Sequence, residues 1–188
     1  MPRAGLSTAS VVDTALEIVD EGGADALTLA AVATRRGVAA PSLYKHVDGL
    51  GHLRSLVGIR VLDEMTERFT ATAVGRAGDD ALAALLREYR AYVLERPARY
   101  AAMPADPLDD PALAAAGTRL LDVILAVLRG YGLEGSEAIH ATRCARALAH
   151  GFASLEATGG FGLPEGLDET YERLIRMFLA TLAPKVSP

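Results

Sequence analysis

The sequence predicts an all-α protein, and three patterns support this prediction. Apolar residues recur every three or four positions along most of the chain, which is the period of an amphipathic helix. No stretch alternates between apolar and polar residues with the period of two that a half-buried strand requires. Glycines and prolines fall between the periodic segments, where they are typical of helix ends and loops. The 188 residues suffice for one or two small domains with a hydrophobic core.

The first helix is expected from Ser7 or Thr8 to Glu21. Gly22 and Gly23 follow, and we expect them to end the helix because glycine adopts the backbone conformations that terminate helices. The apolar residues of this segment fall on one face, which we expect to be buried. They are Val11, Ala15, Ile18 and Val19.

Two short helices are expected next, joined at Gly37. Thr28 is a suitable N-cap for the first, which places apolar side chains of residues 29–33 on one face. Gly37 can take the left-handed conformation that ends a helix. Pro41 suits the first position of the second helix, where its missing N–H would be unpaired in any case, and Ala40 before it is a weak cap.

The second of these helices has an inner apolar face and an outer polar face. Leu43 and Val47 are one turn apart and are expected to face the core. Four side chains are then left pointing outward, namely Ser42, Tyr44, Lys45 and His46. Two short helices with this division of residues indicate a helix-turn-helix that binds DNA.

Five further α-helices and one short helix are expected in the rest of the chain. The helix that begins at Leu50 is long, and its two ends carry separate apolar patches, which is typical of a connector between domains. Asp80, Asp110 and Ser136 are expected to cap three of the later helices. The expected ranges are residues 50–73, 80–96, 97–103, 111–129 and 136–158, with a last helix around residues 171–182.

The residues of the helix-turn-helix resemble those of a known family. The pattern Thr28-Leu29-x-x-Val32-Ala33, then Gly37-Val38, then Pro41-Ser42-Leu43-Tyr44-x-His46-Val47 is similar to the DNA-binding domain of the tetracycline-repressor (TetR) family of transcriptional regulators. The resemblance covers about the first quarter of the chain. It implies a three-helix DNA-binding domain at residues 1–51 and a helical effector-binding and dimerisation domain at residues 52–188.

The expected docking mode places the second helix of the motif in the major groove of operator DNA. Ser42 and Tyr44 are then expected near bases or backbone, and Lys45 and His46 near phosphates. Thr28 is expected to offer its hydroxyl group and its helix amides to a phosphate. The full set of expected DNA contacts is Thr28, Arg36, Ala39, Ala40, Pro41, Ser42, Tyr44, Lys45 and His46.

Other interpretations of these residues stay open. Tyr44 and His46 would also be suitable to cover the domain core, and Arg36 and Lys45 would also be ordinary solvated charges. The family often carries a lysine near the start of its fourth helix, where this chain has Leu50. One phosphate contact that the resemblance implies is therefore expected to be missing.

The resemblance also implies that the C-terminal half binds a small effector. We expect a mostly apolar or aromatic compound among Phe69, Tyr89, Tyr92, Met103 and Phe152, although core packing is the other interpretation of most of these residues. Effector binding is expected to shift the long helix of residues 50–73 and thereby release the operator. Ala149-His150-Gly151 stands where one subgroup carries Trp-His-Gly, with alanine in place of the tryptophan.

A two-fold homodimer is expected through the last two helices, because the final helix carries an apolar stripe and has few places to bury it. Its two recognition helices would sit about 34–36 Å apart, or farther, on a near-palindromic site. The expected interface consists of Leu148, Phe152, Leu155, Tyr171, Leu174, Ile175, Phe178 and Leu182.

Composition and charge limit the other classes. The formal net charge is −5, but residues 34–54 contain four basic residues and one acidic residue, which is a modest positive patch. No signal-peptide pattern and no apolar run long enough for a bilayer are found, so we expect a cytoplasmic protein without a membrane partner. Cys144 is the only cysteine, expected in or near the core. No cofactor or metal is expected.

Two alternative functions are weighed against the DNA-binding regulator. The first is an enzyme, for which His140, Cys144 and His150 on one expected helix are the candidates. No metalloprotease, Walker-type or dinucleotide motif accompanies them, which makes catalysis the weaker interpretation. The second is a helical ligand-binding or adaptor protein without DNA binding, which Leu50 and the low basicity favour.

Overall fold

The computed structural model describes residues 6–104 and 110–182, and those residues contain helices and turns but no strand. The prediction of an all-α fold is confirmed. The α-helices of the described residues are α1 Thr8–Gly22, α2 Leu29–Arg36, α3 Leu50–Ala73, α4 Gly78–Glu95, α5 Pro97–Ala101, α6 Pro111–Leu128, α7 Gly135–Ala157 and α8 Leu167–Leu182. Short 3₁₀ segments are found at Ala24–Ala26, Ala40–Lys45 and Arg129–Tyr131.

Residue contacts divide the chain into two compact units. The first unit comprises residues 1–63 and 98–117, and the second comprises residues 64–97 and 118–188. Both α3 and α6 therefore contribute residues to each unit. The domain boundary that the sequence analysis expects between residues 51 and 52 stays a prediction.

Local capping chemistry explains where several helices begin. Ser7 forms a capping box with Ser10 at the start of α1, and the Thr28 hydroxyl accepts the Ala31 N–H at 3.0 Å. The Asp110 carboxylate accepts the Ala112 N–H at 2.9 Å, directly before Pro111. These three starts agree with the sequence predictions.

The caps expected at Asp80 and Ser136 are wrong. The α4 helix begins at Gly78, and α7 begins at Gly135, in both cases without a side-chain cap. Each of these glycines has φ of +53°, a conformation that other residues rarely adopt. Asp80 therefore lies inside the first turn of its helix, where a carboxylate interacts favourably with the helix dipole.

The first unit has a fully buried apolar core contributed by α1, α2, the 3₁₀ segment Ala40–Lys45 and the start of α3. Side chains with no exposed surface in this core are Val11, Ala15, Val19, Val32, Leu43 and Leu53. Arg60 of α3 pairs with Asp13 of α1 at 2.9 Å, and Arg99 of α5 pairs with Asp20 of α1 at 2.7 Å. These contacts hold α1 against two other elements of the same unit.

Helices α3 and α6 approach closely in the first unit at Gly58. A Cβ atom at this position would lie 2.9 Å from Cδ of Pro104 and 3.0 Å from Cδ1 of Leu113. The glycine is therefore required by packing in the middle of a long helix, where it costs helix propensity.

Helices α4, α7 and α8 form the core of the second unit. Tyr92, Phe152, Tyr171 and Ile175 are each at most 5% exposed. The Tyr171 hydroxyl donates a hydrogen bond of 2.6 Å to the Leu86 carbonyl oxygen, and burial raises the pKa of this hydroxyl. The buried polar end of the tyrosine is thus satisfied.

Arg90 of α4 contacts both α7 and α8 within this core. Its guanidinium donates two hydrogen bonds of 2.6 Å to Glu156 and lies 2.8 Å from Asp168. It also lies over the rings of Phe152 and Tyr171, at 5.5 and 5.1 Å. The Arg90 and Glu156 side chains are only 14% and 15% exposed, so the pair is largely withdrawn from solvent.

The α6 helix is apolar over most of its surface but only partly buried. An 18-residue window within Pro111–Tyr131 has a mean hydropathy of 1.7, and 17% of that window is buried. By length and composition alone the segment is apolar enough to cross a membrane, which corrects the expectation that no run is long enough. Its ends are anchored in protein, since Leu113, Ala116 and Leu128 are at most 2% exposed.

Candidate nucleic-acid interface and ligand site

The turn of the helix-turn-helix is formed as the sequence predicts. Gly37 ends α2 in the left-handed conformation, with φ of 65° and ψ of 37°. The Val38 N–H donates to the Ala33 carbonyl oxygen at 3.0 Å, which closes the turn. Val32 and Ala33 are buried, while Leu29 on the same face is half-buried.

The segment after the turn differs from the prediction in its start and in its type. Ala40–Lys45, here named the recognition segment, is a 3₁₀ helix with Ala39 as its N-cap, whereas an α-helix starting at Pro41 was expected. Neither Ala39 nor Ala40 offers a side-chain acceptor, and Pro41 has no N–H to extend an α-helical ladder. The segment is held instead by its backbone, including Ser42 N–H to Ala39 carbonyl oxygen at 2.9 Å.

Buried and exposed side chains of this region lie on opposite faces. Leu43 and Val47 are 0% and 1% exposed, as predicted, and they anchor the recognition segment to the core. Tyr44 is 60% exposed, although aromatic side chains are usually largely buried. Among the other outward residues, Ala39, Ala40, Pro41 and Lys45 are exposed, and Ser42 and His46 are half-buried.

Basic residues near the recognition segment differ in whether their charge is paired with a carboxylate. Arg35 donates two hydrogen bonds to Glu21, at 2.8 and 2.5 Å, and these bonds raise the pKa of Arg35. No ion pair is found for Arg36 or Lys45 within the described part of the chain. Thr28 is exposed at the start of α2, with its oxygen already accepting the Ala31 N–H. The positive charge of this surface thus comes from few residues.

Two contacts that the sequence analysis missed support the recognition segment. The Thr8 hydroxyl donates to the His46 carbonyl oxygen at 3.3 Å, which ties the end of the segment to α1. The Asp48 N–H donates to Nδ1 of His52 at 3.1 Å. The spacing of Asp48 and His52 is a usable sequence signal for the second contact, whereas no local signal indicates the first.

The residues expected to bind an effector make several different contacts in the structure, and their role stays a prediction. Phe69 and Tyr89 have ring centroids 6.2 Å apart, and the Tyr92 hydroxyl donates to Glu64 at 2.9 Å. Phe152 instead packs against Tyr171, with ring centroids 4.9 Å apart. Met103 is half-buried and belongs to the first unit.

Two cavities of the second unit lie along α6. One has a volume of about 540 Å³ and is lined by the end of α3, the start of α4 and α6, including Thr70, Val74, Ala81, Val123 and Val127. The other has a volume of about 600 Å³ and lies between the end of α6 and the start of α7. None of the five expected effector residues lines either cavity.

The expectation that α8 exposes its apolar stripe is wrong for three residues. Tyr171, Ile175 and Phe178 are 1%, 1% and 8% exposed, because they pack inside the second unit. Phe152 on α7 is likewise 5% exposed. Of the remaining expected interface residues, Leu155 is exposed, and Leu148, Leu174 and Leu182 are half-buried. Met177, which the sequence analysis did not select, is 67% exposed.

The residues weighed as enzyme candidates lie on the outside of α7. Cys144 is exposed, which corrects its expected place in or near the core. His150 is also exposed, with Nδ1 3.4 Å from the Ser154 hydroxyl. The surface of the helix-turn-helix, in contrast, combines a buried anchor with an outward Tyr44 and Lys45. Fold and site together define a helix-turn-helix DNA-binding protein with a separate helical unit.

Comparisons with known proteins identify the family. The sequence profile described as the tetracyclin repressor-like C-terminal domain matches residues 82–178. An uncharacterized HTH-type transcriptional regulator from Mycobacterium tuberculosis is 42% identical over 158 residues, which is 83% of this chain and 72% of the relative. Another from Bacillus subtilis is 33% identical over 183 residues, covering 96% and 95% of the two chains.

The chain belongs to the TetR family of transcriptional regulators, as its sequence motif indicates, and this family does not consist of enzymes. Among solved structures, a TetR variant from Acinetobacter baumannii in complex with minocycline has a TM-score of 0.72 and 20% identity. That similarity covers 94% of this chain and 96% of the other, and at this identity it shows the shared fold.

Proposed function

We propose that this regulator is a cytoplasmic repressor that binds a palindromic operator and leaves it when a small apolar or aromatic effector binds. The observation that carries the proposal is the recognition segment, where buried Leu43 and Val47 fix an outward Tyr44 and Lys45. The Tyr44 ring is exposed, and Lys45 has no ion pair within the described residues. Both side chains are therefore available for contacts with DNA.

In the proposed complex, the recognition segment enters the major groove. Ser42 and Tyr44 contact bases or backbone, and Lys45, His46 and Arg36 contact phosphates. Ala39, Ala40 and Pro41 present only small side chains, so the backbone there can approach the DNA closely. Thr28 and the amides at the start of α2 bind a phosphate.

Because Arg35 is paired with Glu21, we assign the phosphate contact at the end of α2 to Arg36 alone. Few cations take part in this arrangement, so operator affinity should fall only moderately with salt.

We propose that two copies associate through the outer faces of α7 and α8. Among the residues expected at the interface, Leu148, Leu155, Leu174 and Leu182 keep exposed surface, and Met177 adds an exposed apolar side chain. A two-fold dimer would present two recognition segments to a near-palindromic site.

The proposed dimer predicts different effects of an arginine substitution at two neighbouring residues of α8. Met177→Arg should shift the chain from dimer to monomer at micromolar concentration with its helicity intact, because an exposed contact becomes charged. Phe178→Arg should instead unfold the chain, since this side chain is buried within the second unit. Sedimentation velocity with circular dichroism measures both, and a wild-type monomer at micromolar concentration would contradict the dimer.

The effector is proposed to bind in the second unit. The cavity of about 540 Å³ has the volume of a small-molecule site and an alanine- and valine-rich lining. None of Phe69, Tyr89, Tyr92, Met103 and Phe152 lines this cavity, so their contact with an effector is a separate proposal. The same cavity touches Thr70, Ala73 and Val74 at the end of α3, the helix expected to transmit the signal.

A mobility-shift assay with the promoter DNA next to its own gene tests the proposed function. We expect a specific shift that competitor DNA of unrelated sequence does not remove, and an effector should lower operator affinity about 5–150-fold. Absence of any specific shift with this promoter or with a selected operator library would favour the alternative, a helical ligand-binding or adaptor protein without DNA binding.

A further inference from the structure

The second cavity along α6 has a lining unlike that of the first. It lies where α6 ends and α7 begins, and we name it the α6–α7 cavity. Its volume of about 600 Å³ is within the range of small-molecule sites. Its lining includes the apolar side chains of Leu125, Leu133 and Ile139, each of them half-buried. An aliphatic surface is therefore left without a full covering of protein.

Charged side chains stand at the edge of this aliphatic surface. Arg129 and Arg143 both line the cavity, as do His140 and Glu134. No ion pair is found for either arginine among the residues that the structure describes, so both guanidinium groups are available to a ligand. Two guanidinium groups against one carboxylate leave a single positive charge when His140 is neutral.

We propose that the α6–α7 cavity binds an aliphatic amphiphile with one negative charge, such as a medium-chain carboxylate. The aliphatic chain covers Leu125, Leu133 and Ile139, which removes their exposed apolar surface from water. The carboxylate accepts charge-assisted hydrogen bonds from Arg129 and Arg143. No phenylalanine, tyrosine or tryptophan lines the cavity, which favours an aliphatic over an aromatic tail.

The partial burial of α6 supports this occupant. Only 17% of its most apolar window is buried, although apolar helices of globular proteins are normally covered. A ligand tail would supply part of the missing cover at the end of the helix. This site goes beyond the proposed effector site, and its occupation does not depend on DNA binding.

Octanoate is the probe for the test, added below its micellar range to the full chain. Methyl NMR of isoleucine gives a local readout, because the chain has five isoleucines and Ile139 lines the cavity. We expect octanoate to shift the Ile139 signal while Ile175, buried in the α8 core, stays unchanged. Uncharged 1-octanol should bind about tenfold more weakly, and acetate, which lacks the tail, should not bind measurably.

Matched arginine variants distinguish binding at the cavity from a general effect of the charge of the protein. Arg143→Gln and Arg129→Gln should each weaken octanoate binding by about tenfold. Arg146→Gln is the control, because Arg146 is exposed on α7 like Arg143 but does not line the cavity. This variant should change octanoate binding less than about twofold. Circular dichroism of each variant verifies that the fold is intact.

Two outcomes would overturn the proposal. One is equal binding of octanoate and 1-octanol, or equal loss in Arg146→Gln and Arg143→Gln, which would show that the carboxylate is not recognised here. The other is co-sedimentation of the chain with anionic vesicles without any shift of Ile139 by octanoate, which would make the α6 face a membrane surface instead.

Discussion

The two sides of the second unit, one formed by α4, α7 and α8 and the other by α6, differ in how completely their side chains are buried. Helices α4, α7 and α8 enclose aromatic side chains and a largely buried Arg90–Glu156 pair, and the Tyr171 hydroxyl has its partner. Along α6, none of the side chains of residues 120–125 is buried, and two cavities flank the helix. The comparison shows that one side of the unit is closely packed while the other leaves open cavities, which are the sites proposed above for ligands.

The largest effect is expected at Arg90. Arg90→Ala would leave the Glu156 carboxylate, only 15% exposed, without its guanidinium partner. We expect a loss of about 3–5 kcal/mol in the free energy of unfolding, because breaking one side of a buried pair strands the other charge. Urea denaturation measures this loss.

Arg173 provides the matched control for Arg90. It pairs with Glu169 on the surface, where the two side chains are 66% and 69% exposed. Arg173→Ala should therefore cost less than about 1 kcal/mol. Equal losses in the two variants would show that the α4–α7–α8 core does not depend on its buried charge.

Two isoleucines allow a direct comparison of the two sides. Ile175 of α8 is 1% exposed, whereas Ile124 of α6 is half-buried. Truncation of Ile175 to alanine should cost about 2–5 kcal/mol, and truncation of Ile124 about 1 kcal/mol, because less packed surface is lost. Thermal or urea unfolding of both variants checks the difference, and a reversed order would remove the distinction between the two sides.

A smaller effect on stability is expected from pH at the surface of the α4–α7–α8 side of the second unit. Hydrogen bonds from Arg87 of α4 lower the pKa of Glu172 of α8 below its usual value of 4.5. A lower pKa in the folded state adds stability above the unfolded value, and this stability is lost as the pH falls through the folded value. The unfolding free energy of Arg87→Gln should therefore decrease less steeply with acid than that of the wild type.

Urea denaturation at several pH values from about 7 to about 3 compares the two chains. Arg146→Gln, which removes an arginine without an ion pair in the described residues, should keep the acid dependence of the wild type. The assignment to Glu172 fails if Arg87→Gln and the wild type lose stability in parallel.

Sequence reasoning succeeded where the decisive chemistry is local. The caps at Ser7, Thr28 and Asp110 depend on one side chain and the next turn, and the left-handed Gly37 depends on its own backbone. The caps expected at Asp80 and Ser136 were wrong because a positive-φ glycine starts each helix earlier.

Properties that depend on tertiary packing could not be predicted in the same way. The periodicity of α8 shows that Phe178 and Ile175 share a face, but not whether that face meets its own chain or a second copy. The close approach of Gly58 to Pro104 and Leu113 also joins residues far apart in sequence. The orientation of the recognition segment was predictable because Leu43 and Val47 fix it locally, whereas DNA contact by its outward residues stays a prediction.

The most direct test of the proposed repressor is the affinity of Tyr44→Ala for its operator. Fluorescence anisotropy with labelled operator DNA should show a loss of about tenfold or more relative to the wild type, with dimerisation and helicity unchanged. Leu163→Ala, which truncates a 78% exposed side chain in the second unit, should bind like the wild type. Wild-type operator affinity in Tyr44→Ala would contradict docking through the recognition segment.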